Sequence, residues 1–115
     1  MFIIFYYLLN MNNKIPFSII FENQNIDFFL EAHSETKNPE DLTRISTEIL
    51  DILDSNVKRN KISDGDLIQA LALVTAIRIY CSGFDSDKLR KFSDDLIKKT
   101  VSNIKSGKFT KIGNA

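Results

Sequence analysis

The sequence predicts a mainly α fold: an antiparallel three-helix bundle preceded by a short N-terminal β-hairpin or, in its place, a fourth short helix. Three observations lead there. In Ser63 to Cys81, SDGDLIQALALVTAIRIYC, only Gln69, Thr75 and Arg78 break the fifteen positions from Leu67 onward. At about 100° per residue, Asp64, Thr75, Arg78 and Ser82 fall within a sector of about 60°. A helix with so narrow a polar stripe calls for cover on several sides. The segments on either side of it carry amphipathic helical patterns, and all three segments have start and stop signals where a helix needs them.

Residues 1–10 open with MFIIFYYLL. Nine apolar residues are too few to cross a bilayer, which takes about 20. They also lack the positive flank and small-residue cleavage site of a signal peptide. Three readings stay open: an in-frame extension upstream of a true start at Met11, an apolar element packed on the body, or an anchor that touches a membrane. Residues 11–115 are expected to form a single helical domain.

From Ile15 to Phe21 the odd positions Ile15, Phe17, Ile19 and Phe21 are apolar, as in a half-buried strand, and Pro16 confines that strand to an edge. Glu22-Asn23-Gln24-Asn25 supplies turn chemistry. Ile26, Phe28, Leu30 and Ala32 then alternate as a return strand, while Ile26, Phe29, Leu30 and His33 have helical spacing behind an Asn25 cap. The aromatic and β-branched residues around the turn favour the hairpin.

Asn38-Pro39-Glu40-Asp41 reads as an N-cap, a proline at the first helical position and two acids in the first turn. Leu42, Ile45, Ile49, Ile52, Leu53 and Val57 follow on one arc, so a helix is expected over about 39–56. The central helix is expected over about 63–82, capped by Ser63 and ended by Gly83. The last is expected over about 86–106, with Leu89, Phe92, Leu96, Ile97, Val101 and Ile104 inward and Gly107 as its stop. The tail KFTKIGNA reads as frayed, with Phe109 and Ile112 able to tuck back.

At 115 residues, 43% hydrophobic and 26% charged, the composition is that of a globular protein and excludes a wholly disordered chain. One cysteine forms no internal disulfide, which makes the reducing cytoplasm the expected location. The net charge of zero divides unevenly: residues 1–57 carry three basic and nine acidic side chains, residues 58–115 twelve and six. Halves of opposite charge pack on each other or attract different partners.

No catalytic, cofactor or metal motif survives scrutiny. Around residues 55–66 a calcium-hand register would put Ser55, Val57 and Arg59 at ligand positions, and no glutamate closes the loop. Ser106-Gly107-Lys108 lacks the first glycine of a phosphate loop and the hydroxyl after its lysine. His33 is the single histidine, and the single cysteine lies in another element, so His33 is read as a surface or cap-proximal residue. Cys81, at the negative end of a helix, is a poor nucleophile and is read as a buried structural cysteine. Four of the six acids paired as Asp64/Asp66, Asp85/Asp87 and Asp94/Asp95 sit at helix starts, where capping explains them. An enzyme is therefore not expected.

What remains is a small non-enzymatic protein–protein interaction module, self-associating through an apolar helix face as a homo-oligomer, with no stable membrane span. The alternative is nucleic-acid binding through Lys98, Lys99, Lys105, Lys108 and Lys111 of the C-terminal helix and tail. It is less favoured, since the end of the last helix that a helix-turn-helix would offer to bases reads Asp85-Ser86-Asp87-Lys88.

Overall fold

The computed structural model describes residues 14–34 and 36–113. The expectations for residues 1–10, and the choice between Met1 and Met11 as the start, lie outside the described residues. Along the chain run strands β1 (Lys14–Phe21) and β2 (Gln24–Glu31), helices α1 (Pro39–Asn60), α2 (Asp64–Tyr80) and α3 (Ser86–Lys105), and strand β3 (Lys108–Lys111).

This overturns the expected three-helix bundle with a short hairpin. The chain builds a three-stranded antiparallel sheet in the order β1-β2-β3, and its third strand comes from the tail read as frayed. β3 pairs Lys108 with Asp27, Phe109 with Ile26, Thr110 with Asn25 and Lys111 with Gln24. A four-residue strand is too short for alternation to reveal, and its partner lies some eighty positions earlier.

The hairpin between β1 and β2 closes on a two-residue loop, with Phe21 opposite Gln24. Glu22 and Asn23 both take positive φ, 50° and 61°, the mirror-image turn whose twist matches that of paired strands. The register puts Ile15 opposite Leu30, Phe17 opposite Phe28 and Ile19 opposite Ile26, so one face of the sheet is apolar. The Phe17 and Phe28 rings lie 5.8 Å apart, tilted by 42°. The most buried side chains described are Ile15, Ile26 and Phe28, exposed by 1%, 3% and 7%. The described core therefore belongs to the sheet.

Gly107 lets the chain turn from α3 into β3 against β2. A Cβ there would lie 2.6 Å from the Asp27 carbonyl oxygen and 3.1 Å from Phe28 Cβ, so any side chain forces the backbones apart. Glycine is required for close approach, beyond the helix stop that its position suggests.

Helix ends follow local chemistry. α1 has Glu40 and Asp41 in its first turn and Lys58 and Arg59 in its last, each suited to the helix dipole. It runs one turn beyond the expected end and stops at Lys61, whose φ is +52°. The Ser63 hydroxyl accepts from the Asp66 N–H at 3.2 Å, and the Asp85 carboxylate accepts from the Lys88 N–H at 3.1 Å, capping α2 and α3.

Two compact units divide the chain: Met1–Pro39 with Leu96–Ala115, and Glu40–Asp95. The first holds the sheet and the C-terminal half of α3, where Leu96, Thr100, Asn103 and Ile104 are half-buried. The second holds α1, α2 and the start of α3.

Candidate interaction surface

α2 is not wrapped as its composition implies. Leu67, Leu71 and Ile79 are half-buried, whereas Leu73, Ile77 and Tyr80 are 61%, 52% and 80% exposed, and Phe84, just past the helix, is 75% exposed. On a 100° wheel the half-buried residues lie on the side that also carries Thr75, Arg78 and the exposed Ile68, and the opposite side, Leu73, Ile77 and Tyr80, faces water. The polar stripe, expected to be the wet side, therefore shares its arc with the covered one. Large apolar side chains left in water forgo about 1.5–3 kcal/mol each relative to full burial. A contiguous group of them marks a contact surface more often than an accident of folding.

Cys81 belongs to the uncovered side. It is exposed, which corrects the reading of a buried cysteine. Its N–H donates to the Ile77 carbonyl at 2.9 Å, so the residue caps the helix while its side chain meets solvent. His33 is exposed just after β2, and its carbonyl accepts from the Thr36 N–H at 2.9 Å. Among the described residues, no group of three or more His, Cys, Asp or Glu side chains could hold a metal ion. Nor is any helix long and apolar enough to cross a membrane.

The five lysines of the alternative reading are all exposed and all lie in the first unit. Lys98 and Lys105, seven residues apart on α3, share a face, and Lys99 sits about 100° round from them. Lys108 and Lys111 are three apart in β3, which places them on opposite faces of the sheet. The structure thus groups Lys98 with Lys105 and separates the two strand lysines.

On the sheet's polar face, register aligns Ser18, Asp27 and Lys108 across three strands. The Ser18 hydroxyl donates to Asp27 Oδ1, and the Asn25 side-chain amide donates to the same oxygen at 2.9 Å. These hydrogen bonds, Ser18 first, with a smaller attraction from Lys108, hold the Asp27 carboxyl below the ordinary carboxylate range. A carboxylate so stabilised is a weak base, unsuited to general-base work near neutrality. It sits at a shallow groove of about 560 Å³, between Phe17, Phe28 and Phe29 of the hairpin and Asn103 and Ser106 of the chain's end. The buried Asn103 Nδ2 has no hydrogen-bond partner among the described residues.

The residues that now matter, Leu73, Ile77, Tyr80 and Phe84, were hidden in the sequence by their neighbours. The half-buried Leu67, Leu71 and Ile79 are equally apolar, so composition could not say which side of α2 would stay open. No family model matches the chain, and no curated protein or solved structure is significantly similar to it.

Proposed function

We propose that the protein is a non-enzymatic protein–protein interaction module of the cytoplasm that self-associates through the open face of α2. The observation that carries this reading is the exposure of Leu73, Ile77 and Tyr80 along one side of a single helix. Burying that side against another apolar surface recovers free energy that folding of the single chain leaves unused.

Light scattering on a sizing column, with the full chain at low and high salt, tests the proposal. The expected mass is that of an oligomer at both salt concentrations, because apolar contacts resist screening. Leu73→Asp should return the mass to that of one chain. A single-chain mass for the unaltered protein throughout would overturn self-association.

The exposure of all five lysines in one unit favours nucleic-acid binding as a second reading. Such binding would weaken steeply with added salt, and Lys98→Gln, Lys99→Gln and Lys105→Gln together would flatten that dependence. Salt-insensitive binding, or none, would remove it. It ranks second because Lys108 stands beside the anionic Asp27, and because Lys111 lies on the other sheet face.

A further inference from the structure

The two borders of the sheet differ in what they offer another strand. A two-residue hairpin makes Phe21 and Gln24 a hydrogen-bonded pair, so alternate residues of β1, Pro16 among them, turn their backbone groups outward. Proline has no N–H to offer, which blunts that border. Along β2 the same alternation turns the N–H and C=O groups of Asn25, Asp27, Phe29 and Glu31 away from β1. β3 pairs with Gln24–Asp27 and reaches no further, because the chain comes into the sheet only after Gly107. Among the described residues, no strand pairs with Phe29 or Glu31 on that side.

The groove of about 560 Å³ adjoins this vacant half of the border, lined by Phe29 and Glu31 from β2, by Asn103 from α3 and by Lys108 where β3 begins, all in the first unit. Phe29 is 53% exposed there. Asn103 keeps its side-chain nitrogen buried with no hydrogen-bond partner among the described residues. Unpaired strand N–H and C=O groups, beside an amide donor in want of a carbonyl, are satisfied together by one further stretch of backbone.

We infer that the open half of β2 takes an extended peptide of another protein as an added strand, antiparallel to β2 and in line with β3. Such binding draws affinity from main-chain hydrogen bonds and selectivity from alternate side chains. The antiparallel sense is that of β3 and bonds slightly better per residue. Asp27, Phe29 and Glu31 alternate onto one face, so they meet alternate side chains of the peptide. An apolar side chain fits against Phe29. Asp27 already holds Ser18 and Asn25 and has Lys108 opposite it, whereas Glu31 forms no ion pair among the described residues. A basic side chain therefore fits beside Glu31. In the antiparallel sense the basic residue comes first, one residue intervenes, and the apolar residue follows. This interaction needs no second copy and leaves α2 untouched.

Amide NMR of the full chain tests this with two peptides, TKTVTT and its reverse TTVTKT, each blocked at both ends. Saturable shifts are expected at the Phe29, Glu31 and Lys108 amides and at the Asn103 side-chain amide. TKTVTT should bind about fivefold more tightly than its reverse, the worth of one good cross-strand pair. Phe29→Ala and Phe29→Pro both remove the ring, and only proline removes the outward N–H, which the hairpin does not use. The alanine form should hold TKTVTT about fivefold more tightly than the proline form, the net worth of one hydrogen bond. Glu31→Lys, which leaves the backbone groups in place if proline disrupts the hairpin, should reverse the choice of charge and prefer TETVTT. Shifts gathered on β1 or α2, equal binding by the alanine and proline forms, or no saturable shift with either peptide would overturn the added strand. A Glu31→Lys form that still prefers TKTVTT would overturn the pairing at Glu31.

Discussion

The sheet and α2 are both rich in large apolar side chains, yet one face of the sheet buries Ile15, Ile26 and Phe28, whereas α2 buries none fully and leaves Leu73, Ile77 and Tyr80 exposed. In the hairpin, a two-residue turn lays β1 against β2, and register sets Ile15, Phe17 and Ile19 directly against Leu30, Phe28 and Ile26. Each side chain has a cross-strand neighbour as soon as the strands pair. A helix satisfies its own backbone and supplies no such neighbours; its outer side is covered only if another element arrives. The contrast shows that apolar content measures the need for burial, while the geometry of connection decides whether the need is met.

The strongest break in this comparison comes from truncating one residue of each kind. Phe28→Ala should cost about 3–5 kcal/mol of stability, through lost burial and the cavity left behind. Leu73→Ala should change the stability of the single chain by no more than about 0.5 kcal/mol, as at an ordinary surface position. Chemical denaturation under conditions that keep the chain monomeric measures both, and equal losses would mean that Leu73 is part of the folded core after all.

Next in size is Gly107→Ala. A methyl group 2.6 Å from the Asp27 carbonyl oxygen must push β3 or α3 away from β2, and overpacking of this kind costs about 1–3 kcal/mol. Amide hydrogen exchange should show lost protection at Ile26 and Phe109 before any change in α2. A variant as stable and as protected as the parent would show that the close approach is not held.

Ser63→Ala removes the hydroxyl that accepts from the Asp66 N–H and should destabilise the start of α2 by about 1 kcal/mol. Helicity and melting temperature report that loss, which Ser63→Asp should restore. Because the open face proposed for self-association is displayed on α2, the same variant should also weaken association.

The smallest effect concerns acid. Asp27 titrates below its ordinary value of 3.8 in the folded chain. The unfolded chain therefore binds a proton first as pH falls. The stabilisation is complete above the unfolded value and is lost as pH drops through the lower folded one. Ser18→Ala removes the leading cause, so the Asp27 carboxyl should titrate closer to 3.8 in an NMR titration, and hairpin stability should become less sensitive to pH in that window. An unmoved titration would show that Ser18 does not hold the carboxylate.

Much of the local structure could be read from residue order. Pro39 with Glu40 and Asp41, Ser63 with Asp66, and Asp85 before Ser86 mark helix starts through interactions that span three or four residues, and the helices begin there. The edge position of β1 follows from Pro16. The third strand could not be read, because KFTK becomes a strand only where β2 already offers Gln24 to Asp27 for pairing. The candidate surface was half legible: the apolarity of α2 is plain, but the uncovered side is not, since Leu71 and Leu73 are the same residue type with different surroundings.

By itself, then, the amino-acid order determined what is settled within a few residues: caps, turn, strand alternation and the run of apolar positions in α2. Tertiary structure alone decided which strand joins β2 across the length of the chain, why residue 107 has to lack a side chain, and which side of α2 stays in water. The physical reason is range. Hydrogen bonds of caps and turns close over three or four residues, whereas burial depends on which distant surface arrives, and no local pattern encodes that arrival.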